Sequence, residues 1–188
     1  MARIGKLEKA FCKDHGIPDT RIFDATGLSK SECYETMKSL EKWVAFGVPP
    51  CPNGHELKNK RWKNCLVCAP ASLAWIFRSE APGYLYIAQS LSIDLFKVGF
   101  SNDPRKRLVS ANCEGWGGAS DWRLITRAWD DKAGIKEFDL HKRLAVYRSA
   151  RSWLRKGRLI QTREAYACTL DQAIEALVYT ADGFPQSG

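Results

Sequence analysis

No stretch of this 188-residue sequence approaches the roughly 18 uninterrupted apolar residues of a membrane span, and the N-terminus has no apolar signal core. The expectation is a soluble, cytoplasmic chain without a membrane partner. A disulfide framework is missing too: seven cysteines is an odd number, and nothing marks the chain for export to an oxidising compartment. A third absence is local. Between Asp139 and Glu164 there is no acidic residue, while Lys142, Arg143, Arg148, Arg151, Arg155, Lys156, Arg158 and Arg163 all fall there. A solvated helix face usually mixes both signs, whereas a one-sided bias suits contact with phosphates. If residues 148–158 are helical, Arg148, Arg151, Arg155 and Arg158 recur at three- and four-residue steps and share a face. The net charge of +8 likewise favours a polyanionic partner.

What is present supports a folded chain. Hydrophobic residues make up 45%, and seven tryptophans and eight phenylalanines supply a core, which excludes disorder for most of the length. Three segments follow from composition and punctuation. Residues 1–48 read as helical, with Ser29 and Glu32 at capping-box spacing ahead of Cys33, Met37, Leu40 and Trp43–Val44. A short helix, a turn at Thr26–Gly27 and a second helix from Ser29 form a pattern similar to a helix-turn-helix, in which Ser29, Lys30, Ser31 and Glu35 would face a partner. A plain helical hairpin fits the same residues.

Residues 49–70 lie between Pro49–Pro50 and Pro70. Cys51 and His55 are separated by three residues, nine more precede Cys65, and Cys68 follows after two. Two close ligand pairs joined by a hairpin suit a tetrahedral structural zinc. A polar, lysine-rich stretch offers nowhere to bury these cysteines otherwise, and binding would fold a segment too short for its own core. The hairpin tip, with Lys58, Lys60, Arg61 and Lys63, is basic enough to touch phosphate.

Residues 81–180 alternate strand and helix signals. GYLYIAQS and LFKVGFS read as an antiparallel hairpin, and WRLITRAW as a third strand. Asp103–Pro104 opens a helix carrying Arg105, Lys106 and Arg107. A second amphipathic helix is expected over Ala133–Tyr147, and a last one over 169–179. The expected fold class is α+β: a small antiparallel three-stranded sheet flanked by helices, preceded by the helical segment and the zinc hairpin.

Four motifs in this order, GYLYI, KVGFSNDPRKRL, KEFDLHKRL and REAY, resemble the GIY-YIG nuclease domain over roughly residues 83–168. They are most similar to a phage and bacterial subgroup whose second signature reads Lys-Ile-Gly. The resemblance implies that Tyr86 is the tyrosine of the first signature and that Val98–Gly99 ends the second, with Lys97 where a tyrosine is usual. It further implies that Arg107 is the arginine of the first helix and Glu137 the acid that binds a catalytic Mg²⁺ or Mn²⁺. His141 lies one turn later on the same face, and Arg148, Glu164 and Tyr166 match later positions of the subgroup.

The implied chemistry is metal-dependent hydrolysis of a phosphodiester in double-stranded DNA, with the zinc hairpin and N-terminal helices as targeting modules. Glu137 would hold the cation, Arg107 the scissile phosphate, and Tyr86 would activate or orient the water if neighbouring cations lower its pKa. His141 is a rival base and Glu164 a rival metal ligand. Tyr84 shares a strand face with Tyr86. Arg105, Lys106, Arg148, Arg151, Arg155, Lys156 and Arg158 would contact the nucleic-acid backbone. Two other readings fit: a non-catalytic DNA-binding protein on a degenerate nuclease fold, and an enzyme for structured RNA or single strands, with Trp116, Trp122 and Trp153 stacking on bases.

Overall fold

The structure, a computed structural model, describes residues 4–181. The chain divides into two compact units, Met1–Phe77 and Arg78–Gly188, and the class is α+β. None of the described helices is long and apolar enough to cross a membrane.

The first unit contains α1 (Lys6–Asp14), β1 (Ile22–Asp24), α2 (Lys30–Ser39), β2 (Val44–Phe46) and β3 (Lys58–Asn59). β1 pairs with β2 in parallel across α2, Ile22 opposite Val44, and β3 adds antiparallel to β2. The expectation of an all-helical segment is thus corrected. The stretch expected as the first helix of a helix-turn-helix is instead β1, closed by the Asp24 carboxylate accepting the Thr26 N–H at 3.0 Å. The β-prone pair Ile22–Phe23 takes a strand because β2 offers it a ladder. The capping box at Ser29 and Glu32 is formed, with Glu32 Oε2 accepting the Ser29 N–H at 2.8 Å. α2 stops at Ser39, because Glu41 turns the chain with a φ of 53°, and Trp43–Val44 enter β2 rather than continue the helix.

Side chains alternate across β2 and separate two small cores. Val44 packs with Cys12, Ile17, Leu57, Leu66, Leu73 and Ile76. Ala45 packs with Ala25, Cys33, Met37 and Val48 on the other face. Leu57 and Leu66 tie the cysteine-bearing hairpin to a core that residues 49–70 alone do not possess. α3 (Ser72–Ser79), which has no counterpart among the expected elements, follows.

The second unit is built on an antiparallel sheet in the order β6-β4-β5-β9. Its strands are β4 (Gly83–Ser90), β5 (Leu95–Ser101), β6 (Arg123–Asp130) and the short β9 (Ala165–Tyr166). The three expected strands are present, and β9 enlarges the sheet to four by pairing Tyr166 with Phe96. α4 (Pro104–Cys113) starts at Asp103, whose carboxylate accepts the Lys106 N–H at 3.1 Å. α5 (Ala133–Arg143) ends before a 3-10 turn at Ala145–Tyr147, earlier than its amphipathic pattern implied, and α6 is Leu170–Ala181.

Both sheet faces are covered, which explains why β4 reads as a nearly continuous apolar run. Leu85, Ile87, Phe96 and Val98 meet Leu140, Leu144, Ala173 and Leu177 of α5, α6 and their flanks. Tyr86, Ala88 and Leu95 meet Leu108, Trp116, Trp122 and Trp153. Each large aliphatic side chain fully buried in this way contributes about 1.5–3 kcal/mol.

The basic residues over 148–158 are not helical, whereas Lys142 and Arg143 end α5. Arg151–Arg155 and Arg158–Thr162 form the hairpin β7–β8, turning at Lys156 and Gly157, whose φ values of 49° and 74° suit a type I′ turn. Arg151, Arg155 and Arg158 therefore follow the two-residue period of strands, with Arg155 directly opposite Arg158.

Candidate active site and metal centre

The ligand atoms of Cys51, His55, Cys65 and Cys68 all lie within 4.8 Å of one another. Two tight turns bring them together. Cys51 N–H donates to the His55 carbonyl at 2.9 Å, and Gly54, at a φ of 80°, allows the chain to fold back. On the opposite side, Cys68 N–H donates to Cys65 Sγ at 3.5 Å. His55 Nδ1 sits 3.7 Å from both Cys51 Sγ and Cys65 Sγ and 3.2 Å from Cys68 Sγ, and Cys51 Sγ is 3.8 Å from Cys68 Sγ. A zinc ion with Zn–S bonds of about 2.3 Å needs ligand atoms about 3.8 Å apart, so this group can hold a metal such as zinc. Burial pushes the Cys51 thiol up, but backbone N–H groups at His55 and Asn53 outweigh it and hold the thiol at about 6. Burial keeps the neighbouring Cys65 thiol raised.

In the second unit, Tyr86, Lys97, Arg107, Glu137 and Glu164 line one cleft of about 280 Å³, together with Arg78, Gly99 and Phe100. They arrive from β4, β5, α4, α5 and the turn before β9. Gly99 is required by close approach: a Cβ there would stand 2.9 Å from the Tyr86 hydroxyl. Tyr86 is 1% exposed. Burial raises its pKa to about 12, although the Arg107 guanidinium, which hydrogen-bonds the phenol, pulls the other way. The expectation that neighbouring cations would make Tyr86 a base is thereby corrected: desolvation wins, and the phenol stays neutral at pH 7.

Glu137 is the best-held side chain of the cleft. Its Oε2 accepts from Arg78 Nη2 at 2.6 Å, its Oε1 accepts the Phe100 N–H at 3.1 Å, and His141 Nε2 lies 3.9 Å from Oε1. Burial pushes its carboxyl up, and the neighbouring His141 and Arg78 more than reverse this, leaving an ionised carboxylate. Glu164, with a side chain 52% exposed, pairs with Lys97 at 3.5 Å. Lys97 also stands 3.7 Å above the Trp116 ring centre. Burial lowers its pKa to about 8, against the pull of Glu164.

No family model, curated protein or solved structure matches this chain.

Several expected residues fall outside the cleft. Tyr84 lies two positions before Tyr86 on the same strand face, but it packs edge-on to Trp129 at 5.0 Å with Arg127 stacked over its ring. His141 does not line the cleft; its Nδ1 meets the Tyr166 hydroxyl at 2.5 Å, so it braces Glu137 from behind. Arg148 bridges to Tyr166 and hydrogen-bonds its phenol. Arg151 donates through Nε to the Gly117 carbonyl at 3.1 Å, and Arg155 pairs with Glu114 at 3.0 Å. Lys156 and Arg158 are exposed at the hairpin turn, and Lys106 is exposed while pairing with Asp103. Arg105 lines a separate cleft of about 620 Å³ with Arg123 and Arg127. Trp116, Trp122 and Trp153 are 7%, 2% and 9% exposed and pack on one another, so they are core rather than stacking platforms.

Arg78 is the cleft residue that sequence reasoning missed. It is exposed at the end of α3, with no motif around it. Its position is set through the backbone: a Cβ at Gly134 would stand 1.7 Å from the Arg78 carbonyl oxygen, so only glycine lets the two segments meet. Gly134 and Glu137 share a face of α5, which brings the guanidinium to the carboxylate. The sequence signal was a glycine one turn ahead of a helical glutamate.

Proposed function

We propose that the second unit is a metal-dependent endonuclease that hydrolyses phosphodiester bonds in DNA, similar to GIY-YIG nucleases, with the cysteine-rich hairpin as a structural zinc site. On this reading the first unit serves targeting. The observation that carries it is the cleft around Glu137, where three cations, two carboxylates and a phenol from six segments share one space of about 280 Å³. Positive groups at phosphoryl oxygens, a carboxylate for a hard cation and a group to take a proton from water are what this hydrolysis requires.

The donors fit Mg²⁺ or Mn²⁺. Glu137 is ionised and walls the cleft, Glu164 offers a second, half-exposed carboxylate, and oxygen ligands with open positions for water are what these ions take. Arg78, half-exposed itself, would leave Oε2 for an ion to share it. When bound, the cation supplies charge relief at the departing 3′ oxygen. Arg107 grips a non-bridging phosphate oxygen, where a planar fork is most useful. Lys97, with a pKa near the working pH, takes the proton of the attacking water at Nζ. Tyr86, neutral, orients that water through its hydroxyl. His141 fixes the Glu137 carboxylate in place.

One observation favours the second reading, a non-catalytic DNA-binding protein. Both oxygens of Glu137 already have partners, and a guanidinium at 2.6 Å occupies a cation's place. Plasmid cleavage with Mg²⁺ or Mn²⁺ decides. Wild type should nick or linearise DNA, and Glu137→Ala and Arg107→Ala should each lose at least about 100-fold while still binding. A wild type that binds but never cuts hands the cleft to the second reading; cleavage that survives in Glu137→Ala makes Glu164 the metal ligand.

A further inference from the structure

Lys30 and Ser31 open α2, whereas Lys60, Arg61 and Lys63 belong to the tip of the cysteine-rich hairpin, some thirty positions later in the chain. The fold of the first unit brings them to the walls of one cleft of about 530 Å³, with Tyr34 and Glu35. Among the described residues, none of the four cations forms an ion pair. We propose that this cleft is a nucleic-acid contact of the first unit, a groove that seats the phosphodiester backbone. The inference rests on nucleic acid as the substrate proposed above, and it assigns a particular surface to the targeting step.

Both walls are held rigid. On the tip, Asn59 Oδ1 accepts the Arg61 N–H at 3.1 Å and the Lys63 N–H at 3.4 Å. Between them Trp62 takes a φ of 53°, a conformation costly for a bulky residue. Its ring packs against the core of Ala25, Cys33, Met37 and Ala45. That anchoring leaves Arg61 and Lys63, on either side of it, exposed. On the other wall, Cys33 and Met37 are fully buried and fix the rotation of α2. Lys30 and Tyr34 then lie one turn apart on the same face. The side chains carry the site, since Ser29 already accepts the Glu32 N–H at the helix start.

The charges of the lining favour a polyanion. Lys30, Lys60, Arg61 and Lys63 offer only donors, and Glu35 is the lone acid. A polymer of phosphate charges is satisfied by that set, while a protein segment would present as many donors as acceptors. Cys65, the third metal-ligating residue, follows the tip directly and pairs across to Lys58, so the metal centre and the groove share one hairpin.

The test is anisotropy of a short labelled DNA duplex on the full-length, zinc-loaded chain in a Glu137→Gln background, across a salt series. RNA duplex and single-stranded DNA serve as parallel arms. The variant Lys60→Ala/Arg61→Ala/Lys63→Ala, with its zinc content unchanged, should bind at least tenfold more weakly. Its plot of log affinity against log salt should be shallower by about 0.9 for each phosphate that the variant no longer neutralises on duplex DNA. Lys30→Glu, on the opposite wall and remote in sequence from the metal ligands, should weaken binding similarly and keeps the test decisive if the hairpin variant loses zinc. Unchanged affinity and slope in both variants overturn the groove, as does a parent that binds none of the three nucleic acids. If these variants bind weakly yet the wild type never cuts, the groove stands and the nuclease reading falls.

Discussion

At the scale of single residues, the unusual group is Lys97, an ammonium side chain 3% exposed against the Trp116 ring with one carboxylate to answer it. Solvated lysines are protonated throughout the biological range and take no proton from water. Burial alters that, drawing Lys97 down from 10.5 to about 8, so a useful fraction is the free amine near neutrality. If the amine is the base, cleavage should rise about tenfold per pH unit below 8 and level off above it. Lys97→Arg keeps the charge but cannot release it. It should lose about 10²–10⁴-fold in rate and flatten the rise, measured as nicking of supercoiled DNA at saturating metal. A profile that keeps its limb in Lys97→Arg assigns the proton to another group. Folding stability carries an independent signature of the same burial. Between about 8 and 10.5 the unfolded chain holds the Lys97 proton and the folded chain has released it, so stability rises with pH through that window. The Cys12 thiol, raised by burial to about 11, opposes this from pH 9 upward, and the Tyr86 phenol, raised to about 12, from pH 10. Lys97→Arg is therefore the control that isolates the Lys97 contribution.

At the scale of elements, β7–β8 replaces the helical stripe of arginines with a two-stranded ribbon. Its root is fixed by Trp153, packed 5.7 Å from Trp116, and by Arg151 on the Gly117 carbonyl. Its end carries Lys156 and Arg158 beside Leu154 and Leu159, which are 70% and 67% exposed and directly opposite each other. A ribbon with a basic end fits a nucleic-acid groove. Lys156→Ala with Arg158→Ala should lower DNA affinity about uniformly across sequences and reduce the salt slope by about 2, leaving turnover of bound substrate unchanged. An unaltered slope removes the ribbon from the interface. The same elements show what sequence can carry. The capping box of α2, the Asp103–Pro104 start of α4 and the paired runs of β4 and β5 were legible because a few neighbouring residues decide them. β1, β7 and β8 were not, since short β-prone runs become strands only when a partner lies beside them, and arginine spacing favours neither state. In the cleft, Tyr86, Lys97, Arg107, Glu137 and Glu164 were named from motif order. The inward turn of His141, the raised Tyr86 phenol and the presence of Arg78 depend on packing across the fold, which no local pattern encodes.

At the scale of the whole molecule, the described residues form four buried apolar clusters. Two cores lie within the first unit, around Val44 and Ala45, and two within the second, on either face of its sheet. The first two are small, and the hairpin contributes Leu57 and Leu66 to one of them. Without an ion, only weak hydrogen bonds to sulfur, among them those from Cys68 N–H to Cys65 Sγ and from Asn53 to Cys68 Sγ, would hold the metal-ligating side chains together. A metal bound there would add directly to the stability of that core. Thermal unfolding of the zinc-loaded chain should show two transitions. A strong chelator should lower or abolish only one of them, and Cys51→Ser with Cys68→Ser should reproduce the chelator's effect without it. Hydrogen exchange assigns the transitions: amides of β2, β3 and α2 should lose protection on chelation, while those of β4 and β5 keep theirs. Protection lost equally in both units would mean that the ion stabilises the chain as a single cooperative body; protection unchanged everywhere would mean that the four ligands gather without needing an ion at all.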